Sequence, residues 1–423
     1  MSRPLNIVQV TDLYEPFAGG LEHHVGTLSR ELARRGHEVT VVTSRLPGTL
    51  AEETADGVRI RRIESWSGRV LAGWYERPEV PFHPPVPDPG SVRSLNMILD
   101  ELRPDIVHAH GWIGYSCLAT ARRRRPPLIV TLHDYGAMCA RKTLLRDGRE
   151  MCAGPRLDRC LRCAPGQYGA VKGIALAAAL RAARMLHGRV DSWIAVSRFV
   201  AASSRGWLPR EAVISVIPPA VEQPLPAAPR PSWLPASGYL LFVGALGRYK
   251  GLHWLLDAYA AAELSPLVVI GTPRDEAPQT WPRNVIVRTA VPHQQVMAAW
   301  QHARLAIVPS LWPEPSALAA VEAMSSAIPV VASRIGGMPE IVADGVTGIL
   351  VTPGSTAELR AALLRLDNSA ELRRAMGIAG LSRAERFSAA AVAGMHEQHY
   401  RHVLDQRPGP ARTPPRTPEG SSR

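Results

Sequence analysis

NIVQVTDLYEPFAGGLEHHVGTLSRELARRGHEVTVVT, residues 6–43, reads as strand, glycine loop, helix and strand. Asn6 to Val10 is a short apolar run suited to a buried parallel strand. After Gly19 and Gly20, the stretch Leu21 to Arg35 sets Val25, Leu28 and Leu32 on one helical face, and Gly36 stands where that helix should stop. Val39 to Thr43 is the next strand. Strand, crossover helix and strand make the unit from which parallel sheets are wound.

The alternation continues outward from this unit. Asp105–His108, Leu128–Leu132 and Ser192–Val196 are further apolar runs, with helical segments between several of them. PPAVEQPLPAAPRPSWLP, residues 218–235, carries seven prolines and cannot be a regular element. The pattern then restarts with Tyr239–Val243, Leu267–Ile270, Val285–Val287, Leu305–Val308 and Val330–Ala332. The chain of 423 residues is therefore predicted to be α/β, with two doubly wound parallel-sheet domains. They occupy residues 1–217 and 237–386, joined by a proline-rich linker over 218–236. A final helix lies within 387–405, and the tail 406–423 has almost nothing to bury. Two such sheets face one another across a cleft at the carboxyl ends of their strands, where ligands bind.

The formal net charge of +12 favours an anionic partner: nucleic acid, an anionic membrane or a phosphorylated small molecule. No basic platform interleaved with aromatic residues is present, so a nucleic-acid partner is not expected. No secretory signal or uninterrupted apolar span is visible, which predicts a cytoplasmic protein. Arg122–Arg125, with the apolar helical run Lys172–Arg189 bearing Arg181, Arg184 and Arg189, suits docking on an anionic inner membrane face. The plainer reading of the same residues is a solvated loop and a packed helix.

The densest chemistry lies in SLWPEPSALAAVEAMSSAIPVVASRIGGMP, residues 310–339. Glu314 sits in a proline-flanked loop after a strand. Glu322 follows in a helix expected to start near Ser316, whose amino end would face the cleft and favour phosphate. An acid at such a place can accept hydrogen bonds from vicinal ribose hydroxyls.

This region resembles the Glu-x7-Glu motif of retaining family 4 glycosyltransferases, which have the GT-B architecture. The likeness extends through PVVASRIGGMPEIVADGVTGILVTPG (329–354), EPFAGGLEHHVGTLSRELARRGHEVTVVT (15–43), PDIVHAH (104–110), TLHDY (131–135) and VGALGRYKGLHWLLDA (243–258). It implies transfer of a sugar from a nucleotide diphosphate to an acceptor that the sequence does not name, with retention at the anomeric carbon. By the resemblance, Lys250 binds the donor diphosphate, Glu322 holds the ribose, and Glu314 lies near the donor sugar. Gly19 and Gly20 form the loop that closes on the phosphates, and His133 contacts the donor sugar. Ser316 and Ala317 begin the donor helix. The last helix is implied to return to the first domain. The sequence departs from the family at Ala245, where arginine is common and Arg248 could replace it. It departs again at Ser316-Ala317, where Phe-Gly is common, and at Pro219-Ala220, where Asn-Gly is common. No cofactor is expected for catalysis, because Lys250, the glycine loop and helix amino ends can stabilise the leaving diphosphate. No Asp-x-Asp metal motif occurs. An epimerase or phosphorylase on the same fold, or a non-catalytic subunit that binds nucleotide sugar, would carry many of the same features.

Cys139, Cys152, Cys160 and Cys163 cluster with spacings x12, x7 and x2. Count, span and the Cys160-x-x-Cys163 pair suit one tetrahedral structural zinc, although the spacing is not that of a standard twin knuckle; unlinked thiols or disulfides are the alternatives. Cys117 stands alone and reads as core.

Overall fold

A computed structural model of the chain describes residues 3–17, 19–70, 83–120, 126–148, 150–222, 229–274 and 276–406. The arginine run 122–125, part of the linker and the tail from 407 onward lie outside the described residues.

Among the described residues, ten strands belong to the first half: β1 (Asn6–Thr11), β2 (Glu38–Ser44), β3 (Glu52–Ala55), β4 (Val58–Ile63), β5 (Ile106–His110), β6 (Leu128–Leu132), β7 (Leu145–Arg146), β8 (Glu150–Met151), β9 (Ser192–Ala195) and β10 (Ile214–Val216). Eight of them form one sheet in the order β10-β9-β6-β5-β1-β2-β4-β3, while β7 and β8 make a separate hairpin. The large sheet is parallel except at its β3–β4 edge. Ile7 sits beside Val39 on one side and Ile106 on the other. The helix Gly20–Arg34 buries Val25, Leu28 and Leu32 against Ile7, Val39 and Val41, as its spacing requires.

The second half contributes β11 (Tyr239–Val243), β12 (Leu267–Ile270), β13 (Val285–Arg288), β14 (Ala303–Val308), β15 (Val330–Ser333) and β16 (Gly348–Val351). They form a parallel sheet in the order β13-β12-β11-β14-β15-β16. The expected strands appear with ends moved by a residue or two. The helix expected near Ser316 spans Leu318–Ser325.

The chain crosses between the halves twice, at adjacent points. Val221 forms an isolated parallel bridge with Ser388, and its N–H donates to the Phe387 carbonyl at 2.9 Å. Ser388 then caps the helix Ala389–Asp405. That helix returns Val392, Ala393, Tyr400 and Val403 to the core around Ile7 and Leu28. Among the described residues, no helix is long and apolar enough to cross a membrane. Arg184 and Arg189 of the basic run bond to the carbonyls of Trp207 and Leu118. Those guanidiniums are therefore held by their own chain.

Candidate active site

The second-domain wall of the cleft is built by loops after β11, β14 and β15. The turn Arg248–Lys250 ends at Gly251, whose φ is +74°. A Cβ there would lie 1.7 Å from the Pro309 carbonyl oxygen, so only glycine lets the β11 loop press against the β14 loop. The Leu311 N–H donates to the Tyr249 carbonyl across this seam at 2.8 Å. Lys250 Nζ consequently reaches Glu314 Oε1 at 2.6 Å, and Ser310 Oγ donates to the same oxygen at 2.6 Å. Glu314 is buried, while Lys250 is half-buried with its ammonium 5.2 Å from the Trp312 ring centroid. Arg248 is exposed on the same turn, two residues before Lys250.

The loop holding Glu314 is clamped from behind. Gly336 has φ +61°, and a Cβ on it would stand 2.4 Å from Glu314 O and 2.6 Å from Glu314 N. The Gly337 N–H donates to the Glu314 carbonyl at 2.7 Å. Farther along, Glu322 Oε2 accepts from Trp300 Nε1 at 3.1 Å, and burial pushes the Glu322 carboxyl above its ordinary range. Ala317 is the N-cap of this helix and offers no side-chain cap; its methyl packs in the core, so only its backbone is left to serve a ligand. Ser316 lines a separate small cavity with Ser197, Arg198 and Glu340.

The first domain closes on this wall at several points. Tyr135 Oη donates to the Pro313 carbonyl at 2.6 Å. Glu340 accepts from the N–H groups of Arg198 and Phe199 at 2.9 and 3.0 Å, capping a first-domain helix with a second-domain carboxylate. Gly20 lies against Leu318, and the His23 and His293 rings meet with centroids 4.4 Å apart. The carboxylate of Glu22 occupies the space beside Gly19, where a Cβ would stand 2.2 Å from Oε2. Burial pushes that carboxyl up to about 7.

His133 ends a buried histidine network that single residues in the sequence do not announce. His110 Nε2 bonds to Gln9 Oε1 at 2.7 Å, and His110 Nδ1 bonds to His133 Nε2 at 2.8 Å. Because the amide oxygen only accepts, His110 carries its proton on Nε2, and Nδ1 must accept from His133. His133 is thereby an Nε2–H tautomer with Nδ1 as its acceptor. Gln9 Nε2 donates to Tyr400 Oη at 3.2 Å, so the state of the network is tied to the returning helix. Burial lowers the His133 pKa to about 3, so the ring is neutral across the physiological range.

His24, His110 and His133 bring ligand atoms within 4.8 Å of one another, a spacing that could suit a metal. The hydrogen bonds argue otherwise. The Ala220 N–H donates to His24 Nδ1 at 2.8 Å, which places the proton of the neutral ring on Nε2. His110 uses both nitrogens within the protein. His24 through Nδ1 and His110 through both nitrogens are already committed to hydrogen bonds, so the trio does not offer three free lone pairs.

Two facing Rossmann-like sheets, with this cleft between them, define a GT-B glycosyltransferase. Residues 18–223 match Glycosyltransferase Family 4, and residues 237–369 match Glycosyl transferases group 1. The chain belongs to this family of glycosyltransferases. A D-inositol 3-phosphate glycosyltransferase of Corynebacterium aurimucosum is 27% identical over 414 residues, covering 92% of each chain. A glycogen synthase of Mycobacterium tuberculosis is 29% identical over 414 residues, covering 88% of each. Sucrose-phosphate synthase from Thermosynechococcus elongatus shares the fold with a TM-score of 0.71 at 19% identity, over 95% of this chain and 99% of that one. Anabaena HepE, solved with UDP and glucose, shares it with a TM-score of 0.66 at 17% identity, over 94% of this chain and 100% of that one.

Proposed function

We propose that the protein transfers a sugar from a nucleotide diphosphate donor to an acceptor hydroxyl with retention of anomeric configuration. The observation that carries the reading is the Lys250–Glu314 pair at 2.6 Å, on a loop that the first domain meets through Tyr135, two residues after His133. The Lys250 ammonium has two further N–H bonds to give, and a diphosphate is the ligand that suits them. Glu322 has one carboxylate oxygen engaged by Trp300 and the other left for ribose hydroxyls. His133 Nδ1 accepts from a donor sugar hydroxyl, and its tautomer is preset by His110 and Gln9. The acceptor enters over the first-domain cavity lined by Trp112, His133, Asp134 and Lys142. A polyhydroxyl compound suits that mixture of charge and ring surface. HepE, solved with UDP and with UDP-glucose, supports a uridine donor as the first to try.

The leaving diphosphate is stabilised by groups fixed before the reaction begins, so no divalent ion is required. Transfer is expected to proceed in buffer free of magnesium and manganese, with the product linkage read from proton NMR coupling constants. Activity that appears only on adding a divalent ion, or a product of inverted configuration, would overturn this mechanism.

Glu322→Ala is expected to weaken binding of the nucleotide diphosphate by about tenfold to a hundredfold, the worth of a charged hydrogen bond. Glu322→Gln keeps an acceptor for Trp300 and should fold like the parent while still binding less tightly. Calorimetry that shows parental affinity in both variants would remove Glu322 from the ribose site.

A further inference from the structure

Cys139, Cys152, Cys160 and Cys163 all line one cavity of about 140 Å³, outside the cleft and on the segment that follows His133. None is in a disulfide. From this arrangement we infer that the four thiols hold one structural zinc ion.

The segment is anchored at its base, where Met138, Ala140, Leu144 and Ala164 join the first-domain core, but its outer part has little regular structure. Its hairpin has two residues in each strand, and the helix Leu157–Cys163 buries none of its residues. Segments with so small a core of their own are commonly stapled by a metal or by disulfides. The four thiols come from distinct parts of the segment and border the same cavity. Cys139 closes the turn that begins at Tyr135, through a bond from its N–H to the Tyr135 carbonyl at 2.8 Å. Cys152 follows the hairpin, with its N–H bonded to the Leu144 carbonyl at 2.9 Å. Cys160 and Cys163 stand three residues apart on one helix, a spacing that puts both on the same face.

Groups around the sulfurs suit a thiolate cluster. The Asp147 N–H donates to Cys163 Sγ at 3.3 Å, the kind of backbone bond that orients a metal-bound thiolate. Arg141, Arg146 and Arg159 line the cavity, against Glu150 as the one carboxylate in its lining. Zinc bound by four thiolates carries two net negative charges, and this cationic rim offsets them. Four sulfur ligands without oxygen or nitrogen select a soft or borderline ion over magnesium or calcium. Zinc–sulfur bonds of about 2.3 Å set neighbouring sulfurs roughly 3.8 Å apart. Among the described residues no three of these sulfurs lie within 4.8 Å of one another, so binding requires their side chains to turn further into the cavity.

The consequence reaches the cleft. Arg141 Nη1 bonds to the Cys163 carbonyl at 3.2 Å, and the adjacent Lys142 places its ammonium 4.2 Å from the Trp112 ring centroid. A metal that fixes the segment therefore fixes Lys142 on the first-domain wall. The inference does not depend on the proposed transfer reaction.

The full chain, purified without a metal-affinity tag, is expected to contain about one zinc per molecule by elemental analysis. After mild removal of zinc, added Co(II) should give the intense sulfur-to-cobalt charge-transfer and visible bands of a tetrahedral thiolate site. Cys160→Ser and Cys163→Ser should each abolish those bands. The cobalt spectrum of the parent chain decides the matter even where a variant fails to fold. A folded, metal-free chain with four titratable thiols and no cobalt bands would overturn the inference. Two native disulfides found by mass spectrometry would overturn it as well.

Discussion

Lys250→Ala is expected to lower turnover by about a hundredfold to a thousandfold, as loss of a preorganised charge at a leaving oxyanion does. Two effects are combined in this variant and can be separated. The first is catalytic: in the proposed reaction the diphosphate would depart without the ammonium that meets its developing charge. The second is structural. Glu314 has 4% of its side chain exposed and is bonded to Lys250 and Ser310, so the truncation leaves a buried carboxylate with Ser310 as its remaining side-chain partner. Breaking a buried pair costs about 3–5 kcal/mol, and the 23% exposure of the Lys250 side chain puts the cost here toward or below the low end. Adding Glu314→Gln to Lys250→Ala removes the unpaired charge, so the double variant should regain thermal stability and remain inactive. Lys250→Arg is not a rescue, because a planar fork does not replace a compact ammonium wedged between Glu314 and Trp312. Magnesium or manganese should restore neither variant. Turnover of Lys250→Ala within a few-fold of the parent, measured below its melting temperature, would take Lys250 out of the chemistry.

The parallel sheets were legible because buried strands such as LIVTL and YLLFV are nearly continuous apolar runs, and both appear with their expected ends. Strand β4, VRIRRI, was not read. Its Arg59 is exposed while Val58 and Ile60 are buried, and an alternating strand that rich in arginine resembles a surface loop. Strand β16 begins on a glycine, which hid it in a turn signature. Within the site, Glu314, Glu322 and Lys250 were readable through the motif resemblance. Their supports were not. Tyr135 acts through a bond between loops of the two halves and Trp300 through one between two helices, and no spacing encodes either; Ser310 acts within the Glu314 loop itself. The histidine network is the extreme case. Gln9 and Tyr400 are 391 residues apart, and histidine in the middle of a strand reads as polar rather than core. The PDIVHAH motif contains His108 and His110, yet their tautomers depend on partners from β1, from the end of β6 and from the last helix.

Gly336→Ala is expected to disable the enzyme from a position that touches no substrate. The residue sits at φ +61°, where an L-residue costs about 1–2 kcal/mol. That strain is the smaller part. The new Cβ would overlap the backbone of Glu314 at both its nitrogen and its oxygen, and backbone atoms cannot step aside as a flexible side chain can. Either β15's following turn or the Pro313–Pro315 loop must move. Since the Gly337 N–H bonds to the Glu314 carbonyl and the Tyr135 hydroxyl to the Pro313 carbonyl, a shift in that loop disturbs both the donor wall and the closure of the domains. A displacement of about 1 Å at a positioning group can cost on the order of a hundredfold in rate. Turnover should therefore fall by about that factor. The melting temperature should drop by several degrees, at about 2–4 °C per kcal/mol for domains of this size. Glu322 lies in the helix beyond the clamp and keeps its bond to Trp300, so affinity for the free nucleoside should change little. That split distinguishes a displaced Glu314 loop from general unfolding of the second domain. Parental turnover in Gly336→Ala would show that the loop tolerates the overlap and that the Lys250–Glu314 geometry is not what limits the rate.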